Sequence, residues 1–351
     1  MADPLLIYGA TGYTGRLIVR EAAARGLRPI LAGRSRDKLA ALAGSLGLEH
    51  RVASLHDRAA LDVALTGIRV VLHAAGPFSE TARPMVEACL RAGAHYLDIT
   101  AEISVYEQLA ERSAEARARG IMLLPGTGFD IVPSDCLAAH VARRLPSADR
   151  LDLAVRSLVL TTRGSAKTFV EFANVGIIVR REGVLTSVPA GALQRPFDFG
   201  DGPVPCVNVS WGDVATAYYS TGIPNITVYF ETTPFLQAAL MAGRTFGWLL
   251  GTPPWQAWLK AHADLLPDGP AESERLARQA VLVAEARDAA GRTACARLRA
   301  PESYTFTGRS AAVIAARVLR GDCELGFQTP ARVYGPDFVL SFDGVAREDV
   351  A

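Results

Sequence analysis

A short apolar run that ends in glycines at three-residue spacing constrains the fold of this 351-residue chain most. Residues 5–8 run directly into Gly9, Gly12 and Gly15, and a helical pattern follows over residues 16–25. A strand, a glycine turn and a helix in this order begin the βαβ unit that cradles a dinucleotide pyrophosphate. Gly9 suits a tight turn, Gly12 lets backbone approach a phosphate, and Gly15 lets the helix pack on the sheet.

The residues of this glycine loop are predicted to contact a dinucleotide cofactor. They are Gly9, Thr11, Gly12, Tyr13, Thr14 and Gly15. The loop does not fit a nucleoside-triphosphate P-loop, because no Lys-Ser or Lys-Thr pair follows the last glycine.

The turn after the next apolar run indicates which dinucleotide binds. Residues 29–32 predict a second buried strand, which Gly33 and Arg34 follow directly. An acidic residue here binds the ribose 2′-hydroxyl of NAD, whereas an arginine accommodates the 2′-phosphate of NADP. Arg34, Ser35 and Lys38 are therefore predicted to bind NADP(H). The alternative is a solvated basic turn that opens the following helix.

Alternation of strands and helices continues along the first third of the chain. Four further buried runs predict strands at 51–55, 69–75, 95–99 and 121–124, with helices between them, the last over 104–119. Such alternation implies an α/β fold, a Rossmann-type doubly wound parallel sheet. Ligands bind outside the carboxyl ends of the strands in such sheets, so the turns that follow the strands carry the chemistry.

The pattern changes after residue 146. Extended stretches are predicted at 151–160, 206–211 and 225–230, a hairpin at 279–298, and helices at 166–181 and 310–320. This mixture predicts a second α+β domain built on a mixed sheet.

Composition excludes several classes of protein. The net charge is +1, so no nucleic-acid partner is expected. The apolar stretch 235–250 is shorter than the ~20 residues of a spanning helix, and a core or homodimer-interface helix is expected instead. The alternative is a surface that receives a greasy substrate. Scattered cysteines and an immediate first strand favour the cytoplasm without a leader.

The histidines give no sign of a metal site. None of the six lies in a His-Glu-x-x-His pattern, so no metal is expected. His73 falls inside the fourth strand and is predicted to be a hydrogen-bonded core histidine rather than an acid.

A characteristic series of motifs is distributed along the chain, at residues 6–15, 32–34, 75–78, 86–89, 95–102, 126–130 and 326–331. In these motifs the chain resembles the saccharopine dehydrogenase-like oxidoreductases, and within them the subgroup of trans-acting enoyl reductases. This resemblance implies NADP(H), reduction of a C=N or C=C bond, and a C-terminal segment that packs back on the first domain. The domains expected are 1–130 (NADP-binding Rossmann), 131–304 (substrate and dimerisation) and 305–351 (the returning segment).

Candidate catalytic groups follow the fifth and sixth strands. Tyr96 and Asp98 alternate, so they share one face of a strand, and Glu102 lies just beyond it. A phenol or carboxyl group there could protonate the atom next to the one that receives hydride. The alternative is structural: Asp98 caps a turn and Glu102 pairs with a cation. Asp130, in the loop after the sixth strand, is a further catalytic or substrate-contacting candidate.

Two other groups complete the predicted site. Ala75, Gly76 and Pro77 close the fourth strand and are predicted to pass close to the cofactor's ribose and nicotinamide; the alternative is a simple strand-ending turn. Lys167 and Tyr304 are candidate substrate-binding residues, because clefts between domains receive substrates.

The function predicted from these residues is NADP(H)-dependent hydride transfer to a C=C (enoyl) or C=N (imine) bond. The substrate is expected to be a small molecule of lipid or polyketide type. The alternatives are a non-catalytic NADP(H)-binding sensor or accessory subunit, because a fold alone does not determine function. A short-chain-type regulator is disfavoured, since no Tyr-x-x-x-Lys pair occurs in the first domain.

Overall fold

The computed structural model describes residues 4–156, 176–234 and 269–350, with residues 236–237, 245, 252 and 255. The chain divides into two compact units. Unit 1 comprises Met1–Val132 and Tyr304–Val333, and unit 2 comprises Pro133–Ser303 and Tyr334–Ala351.

The described strands, in chain order, are β1 (Leu5–Tyr8), β2 (Ile30–Gly33), β3 (His50–Val52), β4 (Val70–His73), β5 (His95–Asp98), β6 (Met122–Leu124), β7 (Arg150–Arg156), β8 (Ile177–Arg181), β9 (Val184–Val188), β10 (Gln194–Asp198), β11 (Pro203–Val209), β12 (Asn225–Glu231), β13 (Gln279–Arg287), β14 (Thr293–Pro301), β15 (Gly326–Phe327) and β16 (Ala346–Val350). The described helices are α1 (Tyr13–Ala24), α2 (Arg36–Leu46), α3 (Arg58–Ala64), α4 (Phe78–Ala92), α5 (Ile103–Glu111), α6 (Ser113–Ala118), α7 (Val132–Arg144), α8 (Asp213–Thr221), α9 (Glu272–Leu276), α10 (Ser303–Leu319) and α11 (Pro330–Tyr334). A short 3-10 helix spans Phe338–Ser341.

Unit 1 contains a seven-stranded parallel sheet in the order β15-β6-β5-β4-β1-β2-β3. Every residue of β1, β2 and β4 is buried, as expected for parallel strands covered on both faces. The strand order reverses between β1 and β4, and ligands bind at such a switch point. The predicted doubly wound sheet is confirmed. The two-residue strand β15 lies beside β6 and is too short for a sequence pattern to reveal.

Unit 2 contains a mixed sheet in the order β10-β11-β12-β7-β13-β14-β16, and the hairpin β8-β9 joins it at β12. Strands β12 and β7 pair parallel, whereas β13 and β14 form a long antiparallel hairpin. One residue in two along β14 is buried, so one face of this hairpin supplies the core. The predicted α+β domain on a mixed sheet is confirmed.

The end of the chain is shared between the two units. We expected residues 305–351 to return to the first domain, but only those up to Val333 do so. Strand β16 pairs antiparallel with β14 and completes the sheet of unit 2. The last 18 residues therefore belong to unit 2, where the backbone of β16 is hydrogen-bonded at the edge of the sheet.

Two predicted helices are also corrected. Of the helix predicted at 166–181, residues 177–181 form β8, and most of the rest lies outside the described residues. The β-branched run of β8 turns at Glu182 and Gly183, both with positive φ, as a two-residue hairpin turn requires. The helix predicted at 104–119 is two helices, α5 and α6, that meet at Arg112.

The predicted apolar helix at 235–250 lies almost wholly outside the described residues. Within the part of the chain that the structure describes, no helix is long and apolar enough to cross a membrane.

Candidate functional site

The glycine loop forms a tight cradle between β1 and α1. Gly9 has φ +82°, and a Cβ there would lie 2.8 Å from the Ala74 carbonyl carbon at the end of β4. A Cβ on Gly15 would overlap the Gly9 carbonyl oxygen. The loop therefore lies at the switch point with no space for side chains at these two positions. The residues present fit a dinucleotide pyrophosphate at the N-terminus of α1.

A side chain in the first turn of α1 hydrogen-bonds to the glycine loop. No side-chain hydrogen bond caps the helix at Gly12. Arg16 donates from Nη1 to the carbonyl oxygen of Thr11 at 2.9 Å, which links the helix to the loop. Arg16 is a residue that the sequence analysis missed, and its place in the first helical turn was the available signal.

Glu102 caps the N-terminus of α4. Its side chain is buried, and its Oε1 and Oε2 atoms accept hydrogen bonds from the backbone amides of Phe78 and Ser79, each at 2.7 Å. A carboxylate is stabilised here by two charge-assisted bonds and by the positive end of the helix dipole. These two backbone amides are partners that the sequence analysis did not predict. Both oxygens are engaged, so the geometry favours a positioning role over that of a proton donor.

The loop between β4 and α4 is held on its other side by Thr81. Its hydroxyl group donates to the carbonyl oxygens of Ala75 at 2.7 Å and Pro77 at 2.8 Å. The Gly76–Pro77 peptide bond is cis, and Gly76 is exposed. These contacts place the predicted cofactor-contacting residues Ala75, Gly76 and Pro77 beside the glycine loop, because Gly9 packs against the carbonyl end of β4.

Asp98 ties the end of β5 to the loop after β6. Its Oδ1 accepts from the amides of Thr100 at 3.0 Å and Gly126 at 2.9 Å, and its Oδ2 accepts from the Tyr96 hydroxyl at 2.8 Å. Tyr96 and Asp98 thus lie on the same strand face, and both are fully buried. Burial raises the pKa of Asp98 to about 7 and raises that of Tyr96 well above its ordinary value. This network connects two loops, and Asp98 makes the turn contact that a structural role requires.

His73 ends β4 and is fully buried against the rings of Tyr8, Phe78 and Tyr96. Neither of its ring nitrogens has a hydrogen-bond partner among the described residues. The prediction of a core histidine agrees with this position, but the prediction that it is hydrogen-bonded is wrong. Aromatic rings surround the imidazole where hydrogen-bond acceptors were expected. Burial lowers the pKa of His73 to about 3, so the ring is neutral at neutral pH.

Replacing His73 with phenylalanine should remove a pH dependence of stability. The folded pKa of about 3 lies below the unfolded value of about 6.5, so only the unfolded chain gains a proton as the pH falls between them. The wild type should therefore lose about 2 kcal/mol between about pH 7 and about pH 5 relative to His73→Phe. Urea unfolding at several pH values measures this difference, with exposed His56→Phe as the control. Parallel curves for wild type and His73→Phe would contradict the assignment.

Asp130 lies in the loop after β6, half-buried. Burial raises the pKa of its carboxyl group to about 7. A carboxyl group with this pKa is protonated to a large extent at neutral pH and can donate a proton.

The basic turn after β2 is solvent-exposed. Arg34, Ser35 and Lys38 are all exposed, and Ser35 stands at the N-cap of α2 without a side-chain cap hydrogen bond. The Arg34 charge opposes the effect of burial on the pKa of Tyr8, which ends β1. Arg34 therefore lies close to the end of β1, on the same sheet edge as the glycine loop.

Tyr304 lies in unit 1, and its ring packs edge-on against that of Tyr13 with the centroids 5.2 Å apart. Lys167, the other predicted substrate-binding residue, lies outside the described residues. Among the described residues, no group of three or more His, Cys, Asp or Glu side chains could hold a metal ion.

A family comparison supports a dinucleotide-binding role for the glycine loop. Residues 5–124 match the family model of the saccharopine dehydrogenase NADP-binding domain. The matched residues run from β1 to the end of β6, so this part of unit 1 is similar to that NADP-binding domain. The cofactor is NADP(H), as the arginine after β2 predicted.

Curated relatives match over part of their length. A trans-acting enoyl reductase of Mycobacterium ulcerans (strain Agy99) is 33% identical over 184 residues, which cover 48% of this chain and 44% of that protein. A saccharopine dehydrogenase-like oxidoreductase of Homo sapiens is 28% identical over 153 residues, covering 37% of this chain and 35% of that protein. The chain matches less than half the length of these relatives.

A solved structure shares the fold over the whole chain. The apo histidine-tagged saccharopine dehydrogenase (L-Glu forming) from Saccharomyces cerevisiae aligns with a TM-score of 0.66 and covers 100% of both chains. Its sequence identity is 14%, so this similarity concerns the fold alone.

Proposed function

We propose that this protein is an NADPH-dependent reductase that acts on an activated C=C bond of a lipid- or polyketide-like substrate. The observation that carries the proposal is the NADP-binding cradle at the switch point, with the half-buried Asp130 on the same edge of the sheet. The curated relatives named trans-acting enoyl reductase favour C=C over C=N reduction.

The reaction needs a hydride donor, a proton donor and an ordered site. NADPH, held by the glycine loop, would supply the hydride for the carbon β to a carbonyl group of the substrate and would be oxidised to NADP⁺. The α carbon would take up a proton, so that the substrate gains two hydrogens. This chain must therefore hold a proton close to the substrate and keep the loops around it fixed.

Asp130 is the group that we assign as the proton donor. Its carboxyl group lies in a loop at the carboxyl edge of the sheet, where ligands of doubly wound folds bind. Its raised pKa, caused by burial, keeps part of the population protonated at neutral pH. Tyr96 and Asp98 are fully buried in hydrogen bonds to each other and to backbone, so their geometry supports positioning rather than proton transfer.

The remaining polar groups of the site order its loops. Glu102 fixes the start of α4 and hence the loop after β4, while Asp98 fixes the loop after β6. Because β4, β5 and β6 are adjacent, these two carboxylates join three consecutive loops at the carboxyl edge. Such preorganisation holds reacting groups in place without reorganisation during the reaction.

Arg34→Glu should weaken NADPH binding by about 10- to 100-fold and leave NADH binding little changed, because only NADPH carries the 2′-phosphate. Fluorescence titration with each cofactor measures the two dissociation constants. Arg119→Glu, an exposed charge reversal at the end of α6, serves as the control. Equal losses for NADPH and NADH would show that Arg34 does not bind the 2′-phosphate.

The proposed reaction is tested by mixing the protein and NADPH with a panel of enoyl thioesters and cyclic imines, while nicotinamide absorbance is followed. We expect oxidation of NADPH with enoyl thioesters, and Asp130→Asn should lower kcat by about 10²-fold or more without weakening NADPH. Asp62→Asn, an exposed carboxylate on α3, is the matched control. Tight NADPH binding without turnover across the panel would favour the sensor or accessory subunit. Turnover of imines alone would show that the protein reduces a C=N bond rather than a C=C bond.

The cytoplasmic location and the homodimer stay predictions from the sequence. We also propose a small-molecule substrate, in keeping with an NADP-binding domain.

A further inference from the structure

We propose that Tyr304 belongs to the NADP(H) site rather than to the substrate site, and that the first turn of α10 closes the pyrophosphate side of the cofactor. The inference rests on NADP(H) binding at the glycine loop and is independent of which bond is reduced. It concerns unit 1 alone, because α1, the glycine loop and Tyr304–Val333 lie in that unit.

Helix α10 runs parallel to α1. At the start of both helices, the ring of Tyr304 packs against that of Tyr13. One turn further along both, Gly308 lies against α1, and a Cβ there would stand 3.4 Å from atoms of both Leu17 and Glu21. The contacts advance in the same direction on each helix, so their N-termini lie at the same end.

The direction of α1 shows where that end is. Helix α1 follows β1 directly, so its N-terminus lies at the carboxyl edge of the parallel sheet. The first turn of α10 must lie at this edge as well. The absence of a side chain at Gly308 permits this close approach, and Arg309 adds an ion pair with Glu21 at 3.9 Å.

A second set of contacts anchors the same turn of α10 to the loop after β6. The Thr307 hydroxyl oxygen accepts a hydrogen bond from the Phe129 amide at 2.9 Å. Ser310 donates from its hydroxyl to the Thr127 carbonyl oxygen at 2.7 Å. The rings of Phe306 and Phe129 pack edge to face, and both are buried. Helix α10 therefore spans from the glycine loop to the loop after β6. Its contacts with α1 and with the loop after β6 hold Tyr304 in position.

The chemistry of Tyr304 suits a phosphate ligand. Its ring is half-buried, and Tyr13, its packing partner, is the first residue of α1, the helix that faces the pyrophosphate. A phenol donates one hydrogen bond, and bonds to a charged phosphate oxygen are stronger than those between neutral groups. We therefore assign the Tyr304 hydroxyl as a donor to the pyrophosphate or to the adjoining nicotinamide ribose.

Titration of the full chain with NADPH and with adenosine 2′-monophosphate tests this assignment. The second probe carries the adenosine and the 2′-phosphate but lacks the pyrophosphate and the nicotinamide. We expect Tyr304→Phe, which loses the hydroxyl, to weaken NADPH binding about fivefold to tenfold. Tyr304→Ala, which also loses the ring, should weaken NADPH binding further. Neither variant should change the affinity for adenosine 2′-monophosphate.

Two controls separate this result from general damage. Tyr334→Phe removes the hydroxyl of another half-buried tyrosine, in unit 2, and should leave both affinities unchanged. Thermal melting of each variant checks that the fold persists, and Tyr304→Phe keeps the ring contact with Tyr13. NADPH affinities of Tyr304→Phe and Tyr304→Ala within twofold of wild type would overturn the inference while leaving NADP(H) binding intact. Failure of the wild type to bind NADPH would instead contradict the cofactor itself.

Discussion

Gly15→Ala is expected to abolish measurable NADPH binding and to lower the free energy of unfolding by roughly 2–4 kcal/mol. A Cβ at this position would overlap the carbonyl oxygen of Gly9, which is backbone and has no rotamer to relieve the overlap. Relief would require α1 to move away from β1, and this would open the cradle at the switch point. Calorimetric titration with NADPH and urea unfolding measure the two effects.

Gly44→Ala is the matched control for this substitution. Gly44 also lies inside a helix, α2, but is exposed, and a Cβ there would meet nothing within 4 Å. Alanine should therefore stabilise α2 by about 0.5–1 kcal/mol and leave NADPH binding unchanged. Equal behaviour of the two variants would show that the close packing at Gly15 does not shape the cofactor site.

Glu102→Gln is expected to lower the free energy of unfolding by roughly 1–3 kcal/mol and to weaken NADPH binding in parallel. The carboxylate accepts two amide hydrogen bonds at the start of α4, whereas an amide side chain presents only one acceptor oxygen. Its NH₂ group would face a backbone N–H, leaving a buried donor without an acceptor. The loop of Ala75, Gly76 and Pro77 directly precedes this turn, so loosening α4 also loosens that cofactor-contacting loop.

The outcome separates a positioning role from an acid role at Glu102. A catalytic acid would lose turnover in the Gln variant while stability and NADPH affinity stayed at wild-type values. Glu87→Gln, a partly exposed side chain of the same helix, is the control, because its surface ion pair with Arg83 contributes little. Wild-type stability in Glu102→Gln would contradict the capping assignment.

Local sequence patterns were sufficient to predict the glycine loop, the basic turn after β2 and the central strands of unit 1. The glycine spacing at 9, 12 and 15 and the arginine after β2 depend on neighbours in the chain, and a short strand-turn-helix unit determines their geometry. The buried runs of β1, β2 and β4 are similarly local signals, since burial on both faces selects continuous apolar residues.

Contacts between distant segments could not be predicted in the same way. Glu102 bonds to amides 23 and 24 residues earlier, and its partners are backbone groups that carry no sequence signal. Tyr304 contacts Tyr13 only because α10 returns to unit 1. The chain then leaves unit 1 after Val333, because β16 pairs with β14 at the edge of the sheet of unit 2. Candidate residues can therefore be found from sequence, but their division into positioning and reacting groups requires the fold.

Transfer of deuterium from the cofactor tests the proposed function most directly. The protein is incubated with NADPH deuterated at the transferred position and with an enoyl thioester, and the product is analysed by mass spectrometry. We expect a saturated thioester with one deuterium at the β carbon and stoichiometric formation of NADP⁺. Undeuterated, unreduced thioesters throughout the panel, in the presence of tightly bound NADPH, would contradict the proposed function.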